Sequence, residues 1–495
     1  MFLSFKAGGF GRLRREVLAG MVGTFALIPE VIAFSFVAGV DPEVGLFASF
    51  VIGIVISIAG GRPAMISGAA GSVALVAAAL VRGHGLQYLL AATLLAGAIQ
   101  IVFGLLRLDV LMRFVSRSVR TGFVNALAIL IFCAQLPQIV GPHWQFGTGF
   151  GWQNLAMIAA GLVVIYLVPR LTTAIPSPLI CIAVLTALSV LVPMHLRTVA
   201  DLGRLPSSLP SLTWPGVPWS MATLEIVAPY ALAMAVVGLL ESMMTASVVD
   251  ELTETTSSKR RECTGLGIAN MAAGLFGGIA GCGMIGQTVG NVRYGGRGRL
   301  STFVAGAFLL VLTVLLRPWV AQVPVAALVA IMIMVSISTF SWGSLRDLMV
   351  HPRTSSLVML ATVAVVVATS DLAIGVVVGV LLSGVFFAFK VTRMMQVEAG
   401  YDAATDTRLY TVRGQVFFAS ADLFAERFDL HDTARTVRID LRQAHLWDIT
   451  AVGALETVVT KLRRHGIRVE LDGLNEASAL MLERHGDVGP MLGAQ

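Results

Sequence analysis

Two glutamates, Glu30 and Glu241, stand inside long apolar runs. An ionisable side chain at such depth is costly, so it is read first as a working group. One turn after Glu241 comes Thr245, in Glu241-Ser242-Met243-Met244-Thr245, which puts a carboxylate and a hydroxyl on one helix face and suits a proton or a Na⁺ ion. Glu30 follows Pro29, whose missing N–H frees a backbone carbonyl, so this glutamate either takes a direct role or is satisfied by the freed groups. Two further stretches are built from small residues: Ser67-Gly68-Ala69-Ala70-Gly71-Ser72 and Gly277-Gly278-Ile279-Ala280-Gly281-Cys282-Gly283. They open the apolar segments 67–81 and 283–292, both short of the roughly 20 helical residues a crossing needs. Backbone that enters a bilayer without helical bonding lines a cavity or is buried in protein. Two helices starting there aim free N–H groups and positive dipole ends at a common point, where an anion is the natural occupant. The competing reading is that the glycines only allow close helix packing. The candidate substrate residues are therefore Ala69, Ala70, Gly71 and Ser72 with Gly283, Met284, Ile285, Gly286, Gln287 and Thr288, and the ion-coupling candidates are Glu241, Thr245 and Glu30.

Other chemistry finds no support. Gly281, Gly283 and Gly286 spell GxGxxG, but no βαβ pattern surrounds them and no acid follows about twenty positions on. GxxxxGK[ST], HExxH and GxSxG are absent from the sequence, its eight histidines do not cluster, and no enzyme, metal site or cofactor is expected. Cys133, Cys181, Cys263 and Cys282 lie scattered in apolar surroundings and read as small buried hydrophobes.

The elements that would hold these residues follow from composition. Of 495 residues, 56% are hydrophobic and 13% charged, against roughly a quarter charged in soluble domains. The chain is a polytopic α-helical membrane protein with the lipid bilayer as its main partner. Fourteen apolar segments emerge, near 17–40, 44–60, 67–81, 86–106, 121–140, 152–169, 174–193, 222–249, 263–280, 283–292, 300–316, 319–340, 354–370 and 372–389. With the N-terminus inside, nineteen Lys and Arg fall on inside loops, Lys6 and Arg113 among them, against Arg82, Arg197, Arg204 and Arg317 outside; Arg62 is left unassigned. Both termini are expected in the cytoplasm, with the protein in the cell (inner) membrane. The polar, Pro-rich stretch 194–221 divides the list into halves of seven, 17–193 and 222–391, which an odd number makes inverted repeats. The short member is third in each half, the position that marks a transporter's binding site.

Charge separates the ends of the chain. Residues 1–395 hold 24 Lys and Arg against 14 Asp and Glu, and residues 396–495 hold 11 against 15. The basic balance thus belongs to membrane topology, not to nucleic acid. The tail, 396–495, reads as a small cytoplasmic α/β domain: a hairpin of 408–412 and 415–418 around Gly414, a strand at 436–441, a helix at 451–465, a strand at 467–471 and a helix at 475–485.

The sequence resembles the sulfate permease family of anion transporters. The likeness rests on Ile28-Pro29-Glu30-Val31-Ile32-Ala33-Phe34, on Glu241 to Thr245, on Gly281 to Asn291 followed by Gly295-Gly296-Arg297-Gly298-Arg299-Leu300-Ser301, and on a tail similar to a STAS domain. The resemblance implies a seven-plus-seven inverted repeat with two half-helices, a core moving against a gate, a homodimer, and an anion between the third and tenth helices. Gln287 stands where many relatives carry Arg, and Glu30 where Gln is usual, so the site is more acidic than the family pattern. Asp448-Ile449-Thr450 occupies the place of a phosphorylated serine in STAS relatives, which makes Thr450 a regulatory candidate. The expected function is proton-coupled symport of a dicarboxylate such as fumarate, of sulfate or of bicarbonate. The alternatives are Na⁺-coupled symport, anion exchange, a nucleobase–cation symporter, and a membrane-anchored signalling protein.

Overall fold

In the computed structural model the described residues are 9–485 apart from 109, 111–113, 141–148, 172–175, 193–195 and 351. Lys6, Arg113, the ends of the seventh segment and the last ten residues of the tail lie outside them. The chain divides into two compact units, one through Val380 and one from Leu381.

The first unit is helical: α1 (Gly9–Ala38), α2 (Pro42–Ala59), α3 (Gly71–His84), α4 (Leu86–Leu105), α5 (Arg117–Val140), α6 (Gly149–Leu171), α7 (Ser177–Leu191), α8 (Met221–Thr253), α9 (Lys259–Leu275), α10 (Ile285–Arg293), α11 (Arg299–Leu315), α12 (Arg317–Ala321), α13 (Val325–Thr339), α14 (Gly343–Val350) and α15 (Arg353–Thr369), with α16 (Leu372–Thr392) running across the division. Among the described residues, eight helical stretches are long and apolar enough to cross a membrane, and α3, α7, α11 and α15 are shorter apolar helices. The segment expected at 319–340 is split. It breaks at 322–324, where Val199 N donates to Val323 O and Val325 N to Arg197 O, so the backbone pairs with the connector instead of continuing a helix. Pro324, with no N–H to give, stands as the cap of α13.

Small residues set the helix spacing. A Cβ on Gly97 of α4 would sit 2.6 Å from the Gly267 carbonyl oxygen of α9, and one on Gly267 would sit 2.5 Å from the Gly97 oxygen. Backbones this close leave no room for a methyl group. Gly97→Ala and Gly267→Ala are each expected to cost about 1–3 kcal/mol, read as a lower melting temperature of the purified protein; wild-type melting in both would show that this contact yields freely.

One face of the unit gathers charge. Arg62 donates from one guanidinium nitrogen to Asp250 and Thr255 and from the other to Thr253, while Lys259 pairs with the second Asp250 oxygen at 2.9 Å. Arg62, unplaced by the loop count, therefore shares the face of Lys259. Arg261 and Arg299 donate to the last carbonyls of α2, at Ile58 and Ala59 and at Ser57, Ile58 and Gly60, where a helix end favours cations. Glu16 of α1 accepts from the N–H groups of Arg297, Gly298 and Ser301 and so caps the start of α11.

The second unit has the strand order β3 (Gln396–Asp402), β4 (Thr407–Val416), β5 (Thr436–Leu446), β6 (Arg468–Asp472), with β3 antiparallel to β4 and the other pairs parallel. Helices α17 (Ala421–Glu426), α18 (Ile449–Arg464) and α19 (Glu476–His485) complete it around Val412, Ile439, Leu455 and Val459. The hairpin is displaced from its expected place. Gly414 lies within β4 at φ +97, where a Cβ would meet the Met394 oxygen at 2.5 Å. The turn falls at 402–407, and Asp402 accepts from Ala404 N and Thr405 Oγ1 there. Thr450 is exposed in the first turn of α18, behind the N-cap Asp448.

Candidate substrate site between two helix starts

Two two-residue strands, β1 (Ser67–Gly68) and β2 (Cys282–Gly283), pair antiparallel with Ser67 opposite Gly283 and Gly68 opposite Cys282. Side chains satisfy several of the neighbouring backbone groups. Ala69 N donates to Ser49 Oγ at 3.0 Å, Gly283 N to Ser242 Oγ at 2.9 Å, Ile66 N to Thr288 Oγ1 at 3.0 Å, and Gly281 exchanges two bonds with the Asn270 amide. Glycine is required because a Cβ on Gly281 would lie 2.1 Å from the Gly68 oxygen. Close packing and convergence of the two segments are thus the same feature: the glycines let the strands touch, and the strands hold the helix starts together.

From these strands α3 and α10 begin, with Ala70 and Met284 as N-caps. Neither residue offers a capping side chain, and the first intrahelical bonds run from Ala74 N and Thr288 N. The amides of the first turns, at 71–73 and 285–287, precede those ladders and carry the positive ends of both helices. Between them lies a cavity of about 270 Å³. Glu30, Ala70, Gly71, Glu241, Met284, Ile285, Gly286 and Gln287 line it. Phe123, Leu127 and Ile131 of α5 and Met334, Ser338 and Thr339 of α13 also line it, and among the described residues no Lys or Arg does. A larger groove of about 720 Å³ beside Phe25, Leu179 and Trp319 presents almost only carbon and offers little to hold an ion.

Eight of the thirteen expected site residues face the cavity, and Ala69, Ser72, Gly283, Thr288 and Thr245 lie behind it. The Thr245 hydroxyl is directed to backbone, 2.8 Å from Glu241 O and 3.0 Å from Gly283 O, not to the Glu241 carboxylate. That carboxylate accepts instead from Ser72 Oγ and, at 3.1 Å, from Cys282 Sγ. Glu30 and Gln287 both line the cavity, their side chains beside one another. Cys282 is buried, as its surroundings imply, yet it is also a donor in the site. The wall from α5 and α13 has no signature in the sequence, because its Phe, Leu, Ile and Met resemble those of any membrane helix.

The sulfate permease family profile matches residues 13–362, and the STAS domain profile matches 401–487. YbaR of Bacillus subtilis (strain 168), provisionally named a sulfate transporter, is 51% identical over 481 residues, 97% of this chain and 98% of that protein. The bicarbonate transporter BicA of Picosynechococcus sp. is 25% identical over 493 residues, 91% and 87% of the two chains. The murine Solute Carrier 26 family member A9 anion transporter, solved in the inward-facing state, shares the fold with a TM-score of 0.83 over 98% of this chain and 89% of that one, at 18% identity.

Proposed function

Because the chain belongs to the sulfate permease family of anion transporters and ends in a STAS domain, we propose that it carries a dicarboxylate such as fumarate, sulfate or bicarbonate together with a proton, by alternating access. The observation that carries the proton is the lining of the cavity: two carboxylates, two positive helix ends and, among the described residues, no basic side chain. Dipole ends alone can favour an anion, but ionised Glu30 and Glu241 oppose it in a medium where like charges repel more than in water. A proton taken up on Glu241 removes one of the two opposing charges, the anion settles against the amides of 71–73 and 285–287, and loss of the proton on the other side expels it. Na⁺ fits less well, since the Thr245 hydroxyl that would share it points to backbone carbonyls. In this reading residues 1–395 form fourteen transmembrane segments, two of them half-helices, in the cell (inner) membrane with both termini cytoplasmic, residues 396–495 form the STAS-like domain, and the working unit is a homodimer.

The test is uptake of labelled fumarate, sulfate and bicarbonate into liposomes bearing the purified protein, with inward proton or Na⁺ gradients. Accumulation of one anion driven by the proton gradient supports the reading. Drive by Na⁺ alone reassigns the ion, and indifference to both gradients makes the protein an exchanger.

The tail has its own core, so a chain ending at Met395 is expected to keep substrate binding while losing yield or rate. A folded truncation that binds none of the anions bound by the full chain would show that the pathway needs the tail.

A further inference from the structure

The two segments that meet at the cavity each send one donor to the same carboxylate oxygen. Oε2 of Glu241, on α8, accepts from Oγ of Ser72 in the first turn of α3 and from Sγ of Cys282 on β2. The two donor atoms lie 3.8 Å apart, and both side chains are fully buried. With both bonds on Oε2, Oε1 is the oxygen left to take a proton, on a side chain that lines the cavity. Building on the proton-coupled reading above, we infer that Ser72 and Cys282 are positioning residues for coupling: one donor from each repeat half holds the ionised Glu241, and a proton on Oε1 loosens both bonds at once.

Charge-assisted hydrogen bonds are about twice as strong as neutral ones. Gain or loss of the proton therefore changes the attraction between α8 and the two segments whose amides face the anion. Few other groups compete for Glu241. Glu30 faces it from α1, Ser72 from α3 and Cys282 from β2; Gln287 of α10 lies beside Glu30, and among the described residues no Lys or Arg lines the cavity. With no cation at hand, the hydroxyl and the thiol are the local support of the negative charge. The thiol is the weaker donor, so its replacement by a hydroxyl should act in the opposite sense to its removal.

The experiment is an infrared pH titration of the full-length protein, following the carboxyl band that Glu241→Gln abolishes. Ser72→Ala is expected to move the protonation midpoint to higher pH by about one unit and Cys282→Ala by about half a unit. Cys282→Ser should leave it in place or lower it. Should an alanine variant fail to fold, Ser72→Cys and Cys282→Ser carry the test, with a raised and an unraised midpoint expected. Midpoints unchanged by loss of either donor, or Cys282→Ser moving upward with Cys282→Ala, would overturn the inference. The titration reads protonation and not uptake. Wild-type uptake indifferent to a proton gradient would therefore refute the coupled transport while the midpoints still decide the two donors.

Discussion

Glu241→Gln is expected to bind anion at least as tightly as the wild type and to lose all accumulation driven by an inward proton gradient. Glutamine has the size of protonated glutamate and leaves a carbonyl oxygen for Ser72 and Cys282 to donate to, so the pocket keeps its shape. What disappears is the charge. Two like charges about 6 Å apart at an effective dielectric constant of about 20 repel by about 3 kcal/mol, roughly a hundredfold in affinity. The variant should bind with a weaker dependence on pH than the wild type, because of the two carboxyl groups in the cavity only Glu30 remains to titrate. Binding measured by calorimetry and uptake measured in liposomes separate the two effects. A Glu241→Gln protein that still concentrates anion against its gradient under proton drive would remove Glu241 from the coupling role.

Gly286→Trp should reduce uptake to the background of empty liposomes while leaving the protein folded. A Cβ at Gly286 meets no atom within 4 Å, so the new side chain grows into open space. An indole is among the bulkiest side chains, burying roughly 150–250 Å² of surface, and here it would extend into the cavity of about 270 Å³ that Gly286 lines. Ala70→Trp should block as well, but Ala70 is only 2% exposed, so melting must be checked first. Gly281→Ala makes the contrast. Its methyl would lie 2.1 Å from the Gly68 oxygen, and the expected result is lost stability instead of a blocked but folded carrier. Full uptake by folded Gly286→Trp would place the anion elsewhere.

Much of this architecture is legible before any coordinates. Apolar run lengths and the placement of Lys and Arg separate the helices, and the two small-residue stretches mark where α3 and α10 begin, at Gly71 and Ile285. The same rules fail where neighbours distant in sequence set the outcome. Gly414 reads as a turn by type, yet β4 continues through it because the Met394 carbonyl occupies the space a side chain would need. Arg62 has no assignable side of the membrane until Asp250, 188 residues away, is seen to pair with it.

Residue type and spacing alone determined that this protein is a multi-pass membrane protein, and they singled out Glu30 and Glu241 as acids inside apolar runs. These are one-dimensional properties, written in run length, charge and order. Only the tertiary structure decided which site residues face the cavity, that α5 and α13 wall it, and that Cys282 donates to Glu241 while Thr245 does not. The reason is physical. Lipid tails and protein interior are equally apolar, so a membrane helix carries no amphipathic stripe to show which face is inward. The contacts that decide the chemistry, such as Ser72 with Glu241 across 169 residues, are made by directed hydrogen bonds whose geometry exists only once the glycine-packed strands have met.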